Sequence, residues 1–189
     1  WKEFGGTHPA PRGNAICAGM IESMLAAAWG EKLPAGAAKT AHKLPDSLDK
    51  FSYANGRFID PKQAKVQKGW TLGVPDWSRL KGSKRSRFTS IPMLSADQPG
   101  AELTLEFEGT AVGAYIVAGP DAGIVEASID GGPPREVNLL HRFSRGLHYP
   151  RTVMSAADLK PGKHTLVLRT SRNTAGSGHA ARIIQFVAN

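Results

Sequence analysis

The side chain best placed for chemistry is a histidine near the start of the sequence. His8 and Pro9 follow the run Phe4-Gly5-Gly6-Thr7, and a helical pattern of apolar residues begins a few positions later. A histidine on a rigid loop ahead of a helix suits general base catalysis, because imidazole can take up and return a proton near neutral pH. The alternative is a loop histidine whose ring caps a turn.

The element that must position this loop is an amphipathic helix, which we predict over residues 14–29. Asn14 is its expected N-cap and Gly30 its expected C-cap. Cys17, the single cysteine of the chain, falls on its apolar side, where we expect a buried structural thiol. One cysteine excludes an internal disulfide and a zinc site built of thiolates. The apolar residues that recur at helical spacing are Ile16, Met20, Ile21, Met24 and Leu25.

Beyond the helix the pattern changes to that of a β protein. Residues 31–48 carry Pro34, Gly36 and Pro45 without periodicity and read as a linker, and residues 49–85 suggest a few short strands. From about Ser86, polar and apolar residues alternate between turn signals, with no helical pattern between them. We predict strands over residues 88–93, 102–108, 111–118, 123–129, 135–140, 149–155, 164–169 and 181–187. The expected fold is mainly β, an antiparallel β-sandwich or jelly roll preceded by one N-terminal α-helix.

The His8-Pro9 block and the helix after it resemble the last motif block of SGNH (GDSL-type) hydrolases. In that family the block is Asp-x-x-His-Pro, in which the histidine activates a serine nucleophile and the aspartate orients the histidine. The glycine-rich stretches at residues 107–113, 118–123, 128–132, 147–151 and 159–164 look like the β-sandwich that follows the hydrolase domain in some bacterial members. The resemblance implies a C-terminal hydrolase segment over residues 1–30 and an accessory sandwich over residues 49–189.

Carried over to this chain, the resemblance makes His8 the catalytic base of an esterase acting on O-acetylated carbohydrate. Gly5 stands where the family has aspartate, so either a Ser-His dyad or another carboxylate such as Glu3 would have to serve. The Gly-Asp-Ser nucleophile block and the oxyanion-hole blocks have no match in this sequence. The resemblance therefore implies that they lie on an N-terminal hydrolase segment or a second chain, and that the protein is exported to the periplasm or cell exterior.

Four further residues are candidates for substrate binding. Trp70 and Trp77 have flat rings that could stack on a sugar, although large aromatics at irregular spacing also fill cores. Arg142 and His148 lie in a stretch with His141, Arg145 and Arg151 that could form a basic rim facing a sugar or an anion. A solvated loop is the alternative for that stretch.

Composition limits the remaining classes. The net charge of +8 permits attraction to polyanions, but no nucleic-acid module signature accompanies the basic run at residues 81–87, so nucleic acid is not an expected partner. The longest apolar stretch, residues 15–29, is too short and too polar to span a bilayer, so we expect no membrane anchor. We expect no metal and no cofactor. The competing function is a non-catalytic module that binds carbohydrate or a protein partner.

Overall fold

The computed structural model describes residues 1–38, 41, 43–49 and 51–189. Within this chain two compact units are found, Trp1–Asp46 and Ser47–Asn189, and each is described by itself. Residues 39, 40 and 42 of the predicted linker lie outside the described residues.

The first unit is built around helix α1, Pro11–Trp29. The helix begins three residues before the predicted start, and Ala10 rather than Asn14 is its N-cap. Proline suits this first helical position, because its missing N–H would have no partner there and its φ angle already fits a helix. Gly30 follows the last helical residue, as predicted, but in a right-handed conformation. Cys17 is half-buried rather than buried.

The second unit is an antiparallel β-sandwich, which confirms the predicted fold class. The front sheet has the order β3-β4-β11-β6-β9, with β1 also paired to β11, and the back sheet has the order β2-β5-β10-β7-β8. The strands are β1 Arg57–Ile59, β2 Lys65–Lys68, β3 Thr71–Gly73, β4 Met93–Ala96, β5 Glu102–Glu108, β6 Val112–Ala118, β7 Ile124–Ile129, β8 Arg135–Asn138, β9 Tyr149–Ala156, β10 Lys163–Thr170 and β11 Ala181–Ala188. Two 3-10 turns, Pro61–Gln63 and Arg142–Arg145, and the short helix α2, Ser86–Thr89, join them.

The core lies between the two sheets, because each strand turns alternate side chains to its inner face. Leu103 and Leu105 of β5, Leu166 of β10 and Phe186 of β11 have no exposed surface. Strand β5 pairs with β10 in register from Lys163 opposite Glu108 to Arg169 opposite Glu102. The alternation that the sequence shows over residues 102–108 is therefore the alternation between core and solvent.

A second, smaller apolar cluster covers part of the outer face of the front sheet. It contains Phe88, Met93, Val117 and Ile184, against which Trp77 packs. Met93, Val117 and Ile184 neighbour strand residues of the main core in sequence, so they point to the opposite side of the same strands. The prediction of a strand over residues 88–93 is wrong for this reason: residues 86–89 form α2, and its apolar side chain covers the sheet instead of pairing with it.

Candidate functional site

The loop that carries His8 is folded back on the start of α1. The backbone N–H groups of Gly5 and Gly6 donate to the Trp1 carbonyl at 3.1 and 3.3 Å, and that of Ala10 donates to the Phe4 carbonyl at 2.8 Å. Phe4 lies so close to the helix that a Cβ on residue 13 would come within 2.2 Å of its carbonyl oxygen, which is why glycine stands there. The His8 ring is exposed and makes no hydrogen bond or ion pair with any residue that the structure describes.

Position 5, where the resemblance to the SGNH block would require an aspartate, cannot hold one in this loop. Gly5 has a φ of 97°, and a Cβ there would lie 2.2 Å from the backbone nitrogen of Ala10. Both the backbone conformation and the space require glycine. The carboxylate of Glu3 is paired instead with Arg12, Oε2 to Nε at 3.6 Å, and both side chains are exposed. Within the described residues, no carboxylate orients the His8 ring.

In the sandwich, His148 is a buried side chain with one unpaired nitrogen. It is 1% exposed, and its Nε2–H donates to the Lys81 carbonyl at 3.0 Å. A carbonyl can only accept, so this bond places the proton on Nε2 and leaves the Nδ1 lone pair buried without a partner among the described residues. Burial lowers the pKa of His148, and nearby Arg182 lowers it further. The His148 ring packs edge-on against Trp77, with centroids 5.1 Å apart.

An ion pair lies beside this histidine. Arg182 of β11 donates to both carboxylate oxygens of Asp121, at 3.0 and 2.5 Å. Burial alone would raise the pKa of Asp121, but the hydrogen bonds and charge of Arg182 outweigh that effect and hold it below its ordinary value. The guanidinium also lies 6.0 Å from the Trp77 ring centroid. This ion pair connects the turn of residues 119–123 to strand β11, and we interpret its role as stabilising that turn.

Two basic stretches that are separate in the sequence adjoin in the fold. The N–H of Ser83 donates to the Gly146 carbonyl, and that of His148 donates to the Ser83 carbonyl, both at 2.8 Å. Residues 79–87 therefore lie against residues 141–151, and we call these two segments together the basic rim. Arg142 is one of its exposed members.

The basic rim also presents an aromatic ring to solvent. Phe143 is 49% exposed and contacts the rings of His141 and Tyr149, at centroid distances of 5.2 and 5.5 Å. The guanidinium of Arg142 lies over the Phe143 ring at 4.6 Å. Sequence analysis did not select Phe143, although an aromatic residue flanked by arginine and serine in a basic loop was a usable signal.

The four predicted binding residues do not converge on one surface. Trp70 is 5% exposed and belongs to the main core, so it has no free ring face. Trp77 is half-buried in the outer cluster, and His148 is buried beside it. Of the four, Arg142 is the exposed one. A separate apolar groove of about 260 Å³ lies on the front sheet, lined by Tyr53, Phe58, Met154 and Val187 among others.

Membrane-spanning helices and metal-binding clusters are both absent from the described residues. No helix in the described part of the chain combines the length and apolar character that crossing a bilayer requires. Nor do the described side chains include a cluster of three or more His, Cys, Asp or Glu that could hold a metal ion.

Comparison of the fold with solved structures identifies similar proteins. A two-domain esterase (CEX) active on acetylated mannans, co-crystallized with mannopentaose, has a TM-score of 0.61 at 15% identity over 96% of this chain. A second structure of that esterase gives 0.59 at 16% identity over 96% of this chain and 47% of its own. The present chain spans 46% of the length of the first. At such identities the likeness concerns the fold.

A family two carbohydrate esterase from Cellvibrio japonicus is also similar, with a TM-score of 0.46 at 16% identity over 70% of this chain and 32% of its own. That score is below 0.5, so the comparison rests on the two-domain esterase. No protein-family model matches the sequence. No curated protein matches it either.

Proposed function

We propose that this chain is the C-terminal part of an SGNH-like serine esterase that acts on O-acetylated carbohydrate, with the sandwich as its accessory domain. The observation that carries the proposal is the likeness in fold, over 96% of this chain, to an esterase active on acetylated mannans. The exposed His8 ring on a loop closed against α1 supports it, because a general base must be reachable by its substrate.

In the proposed reaction His8 moves the proton and a serine outside these 189 residues supplies the nucleophile. The serine oxygen attacks the acetyl carbonyl while His8 takes the hydroxyl proton, and His8 then returns this proton to the departing sugar oxygen. Water cleaves the acetyl-serine by the same route, giving acetate and restoring the serine. Because residue 5 cannot be an aspartate in this loop, His8 would act either in a Ser-His dyad or with an orienting group supplied by the hydrolase segment.

The sandwich would supply binding loops rather than chemistry. The missing partner is then the hydrolase segment, on the same polypeptide or a second chain, and the apolar face of α1 offers it a surface. Ile16, Met20, Ile21 and Met24 of that face are 47 to 69% exposed. The proposal includes export to the periplasm or the cell exterior, because that is where the enzyme would find a polymeric carbohydrate substrate.

A second candidate is a non-catalytic module that binds carbohydrate or a protein partner. The exposed ring of Phe143 and the apolar groove around Phe58 favour it, because both are open aromatic surfaces of the kind that sugar rings contact. Under this candidate His8 is a surface loop residue, and replacing it changes neither the binding of a glycan nor the release of acetate from it.

The test is acetate release from acetylated mannan by the natural full-length protein. His8→Ala should abolish most turnover, by about two to four orders of magnitude, as expected for the loss of a general base. Thr7→Ala is the matched control, because Thr7 is exposed on the same loop and has no part in the proposed reaction. If His8→Ala and wild type release acetate equally fast, or neither releases any, the binding-module candidate replaces the esterase.

A further inference from the structure

The positive charge of the chain is concentrated in the basic rim. Residues 79–87 contain five Lys or Arg, residues 141–151 contain three, and neither segment contains Asp or Glu. The combined charge of these eight cations equals the net charge of +8 of the whole chain of 189 residues. The remaining basic and acidic residues balance each other, so the two segments of the rim carry the excess positive charge of the chain.

The cations of the rim are held together by the fold and are accessible. The backbone bonds of Ser83 to Gly146 and His148 join the two segments, and the bond from His148 to the Lys81 carbonyl adds a third link from a buried ring. Arg85, Arg142 and Arg145 are exposed. The two segments are thus held together by the buried His148 ring and by backbone hydrogen bonds, which leave the charged side chains of Arg85, Arg142 and Arg145 unoccupied by these links.

Almost none of this charge is neutralised by the protein itself. Arg79 pairs with Asp76, Nε to Oδ2 at 3.0 Å, and no other cation of the rim forms an ion pair with a residue that the structure describes. Elsewhere in the sandwich, Arg182 and Arg169 are each bound to a carboxylate. The rim therefore holds free guanidinium groups, which can bind a carboxylate through two parallel hydrogen bonds.

The Phe143 ring within the rim favours a polysaccharide over a nucleic acid as the polyanion that the rim binds. Phe143 is 49% exposed, and the Arg142 guanidinium lies over its ring. His141 and Tyr149 contact the Phe143 ring and stack on each other at 5.2 Å. A single ring face fits the apolar side of one sugar ring. Single-stranded nucleic acid is instead bound by several aromatic rings spaced along the strand for successive bases.

We propose that the basic rim binds an acidic polysaccharide, with arginines of the rim contacting uronic acid carboxylates and Phe143 contacting a sugar ring. This rests on the proposed function and specifies its substrate class as acetylated carbohydrate that also carries carboxylates. Binding through the rim would hold such a polymer on the sandwich while the ester group reacts elsewhere.

The experiment measures binding to polygalacturonate by calorimetry, for the full chain and two pairs of matched variants. Arg142→Gln with Arg145→Gln removes two rim charges, and Arg135→Gln with Arg172→Gln removes two exposed charges outside the rim. Phe143→Ala is matched by Leu72→Ala, an exposed apolar side chain of strand β3 outside the front-sheet groove. Every altered side chain is exposed, and an unchanged urea unfolding midpoint confirms that each variant folds.

We expect the rim arginine pair to weaken binding about tenfold or more, and Phe143→Ala to weaken it less, about two- to fivefold. Both controls should stay within about twofold, and added salt should weaken the wild type more than the rim variant. Neutral mannohexaose should bind without sensitivity to the rim arginines. Because this readout needs no turnover, the two proposals fail separately. If the chain binds polygalacturonate in this way but the natural full-length protein releases acetate from neither acetylated mannan nor acetylated polygalacturonate, the esterase is contradicted and the rim site still stands.

Three results would overturn the proposal. One is absence of binding to polygalacturonate. Another is equal weakening by the rim pair and the control pair, which would show attraction to net charge alone. The third is tighter binding of a short single-stranded DNA with the same sensitivity to the rim variants, which would make nucleic acid the partner.

Discussion

The two units of the chain use apolar residues in opposite ways. In Ser47–Asn189 the large apolar side chains of β5, β10 and β11 face each other between two sheets, and Leu105 and Phe186 have no exposed surface. In Trp1–Asp46 the helix keeps Met20 69% and Met24 63% exposed, and Gly13 is its one buried residue. The sandwich is thus stabilised by its own core, whereas the helix has an apolar face that its own unit does not cover. Stability and proposed chemistry therefore reside in different units.

The largest contrast should come from truncating an apolar side chain in each unit. Phe186→Ala leaves a cavity in the core and should lower the free energy of unfolding of the sandwich by about 3–5 kcal/mol. Met20→Ala, on the exposed helix face, should change it by less than about 0.5 kcal/mol. Urea unfolding followed by tryptophan fluorescence measures both. Comparable losses from the two variants would mean that the helix contributes to the same core.

The next contrast is between a buried and an exposed ion pair of the sandwich. Asp121→Asn leaves the Arg182 side chain, 6% exposed, without its counter-charge. We expect a loss of about 3 kcal/mol, the low end for a buried pair, because Asp121 retains some contact with water. Asp76→Asn breaks the exposed pair with Arg79 and should not measurably change the unfolding midpoint. Equal effects would show that Arg182 is already solvated.

In the first unit the sharpest test is to restore the family aspartate. Gly5→Asp should not create a triad, because the new Cβ would collide with the Ala10 nitrogen and the φ of 97° suits glycine. We expect a local cost of about 1–3 kcal/mol, seen as faster amide exchange in the first turn of α1, and slower rather than faster acetate release.

Gly6→Asp is the matched change for this experiment. A Cβ on residue 6 lies 3.7 Å from its nearest neighbour, the Trp1 ring, at a φ of 72°. Aspartate is among the non-glycine residues best tolerated in that left-handed region. A gain in activity from Gly5→Asp would show that the loop rearranges and that a carboxylate at position 5 can orient His8.

The smallest effects concern two histidines of the sandwich whose pKa values move apart. Burial lowers the pKa of His148, so below about pH 6.5 the unfolded chain binds a proton more readily than the folded chain does. The free energy of unfolding therefore decreases as the pH is lowered below 6.5. The hydrogen bond to Asp130 at 2.6 Å raises the pKa of His164, so its contribution is complete below 6.5 and is lost as pH rises through the folded value. Histidine NMR titration should show His148 titrating below 6.5 and His164 above it, and Asp130→Asn should lower the pKa of His164 without changing that of His148. A pKa of His164 that is the same in Asp130→Asn as in wild type would contradict the assignment.

Local patterns predicted the sandwich well, because its strands are half-buried and alternate. Strand β5 has the bounds that the alternation from Glu102 indicates, and the Asp130-Gly131 turn joins β7 and β8 with both residues at positive φ, as a tight hairpin requires. The failure at residues 88–93 arose because Phe88 is buried by contacts with Val117 and Ile184 that no local pattern shows.

The candidate sites were less predictable, since they depend on contacts between distant residues. Asp121 and Arg182 are 61 positions apart, and the rim joins two basic stretches through Ser83 and Gly146. Neither pairing leaves a signal in the sequence. The role of His8 stays a prediction that rests on the resemblance and on the fold of its loop.

Whether His8 serves a serine esterase is tested by the intact mass of the natural protein after treatment with a serine-directed organophosphonate. We expect that a polypeptide larger than the 20.2 kDa of this chain, or a second polypeptide bound to it, gains one adduct and loses acetyl-ester hydrolysis. A lone 20.2 kDa species that neither gains the adduct nor hydrolyses acetyl esters would contradict it and leave a binding module.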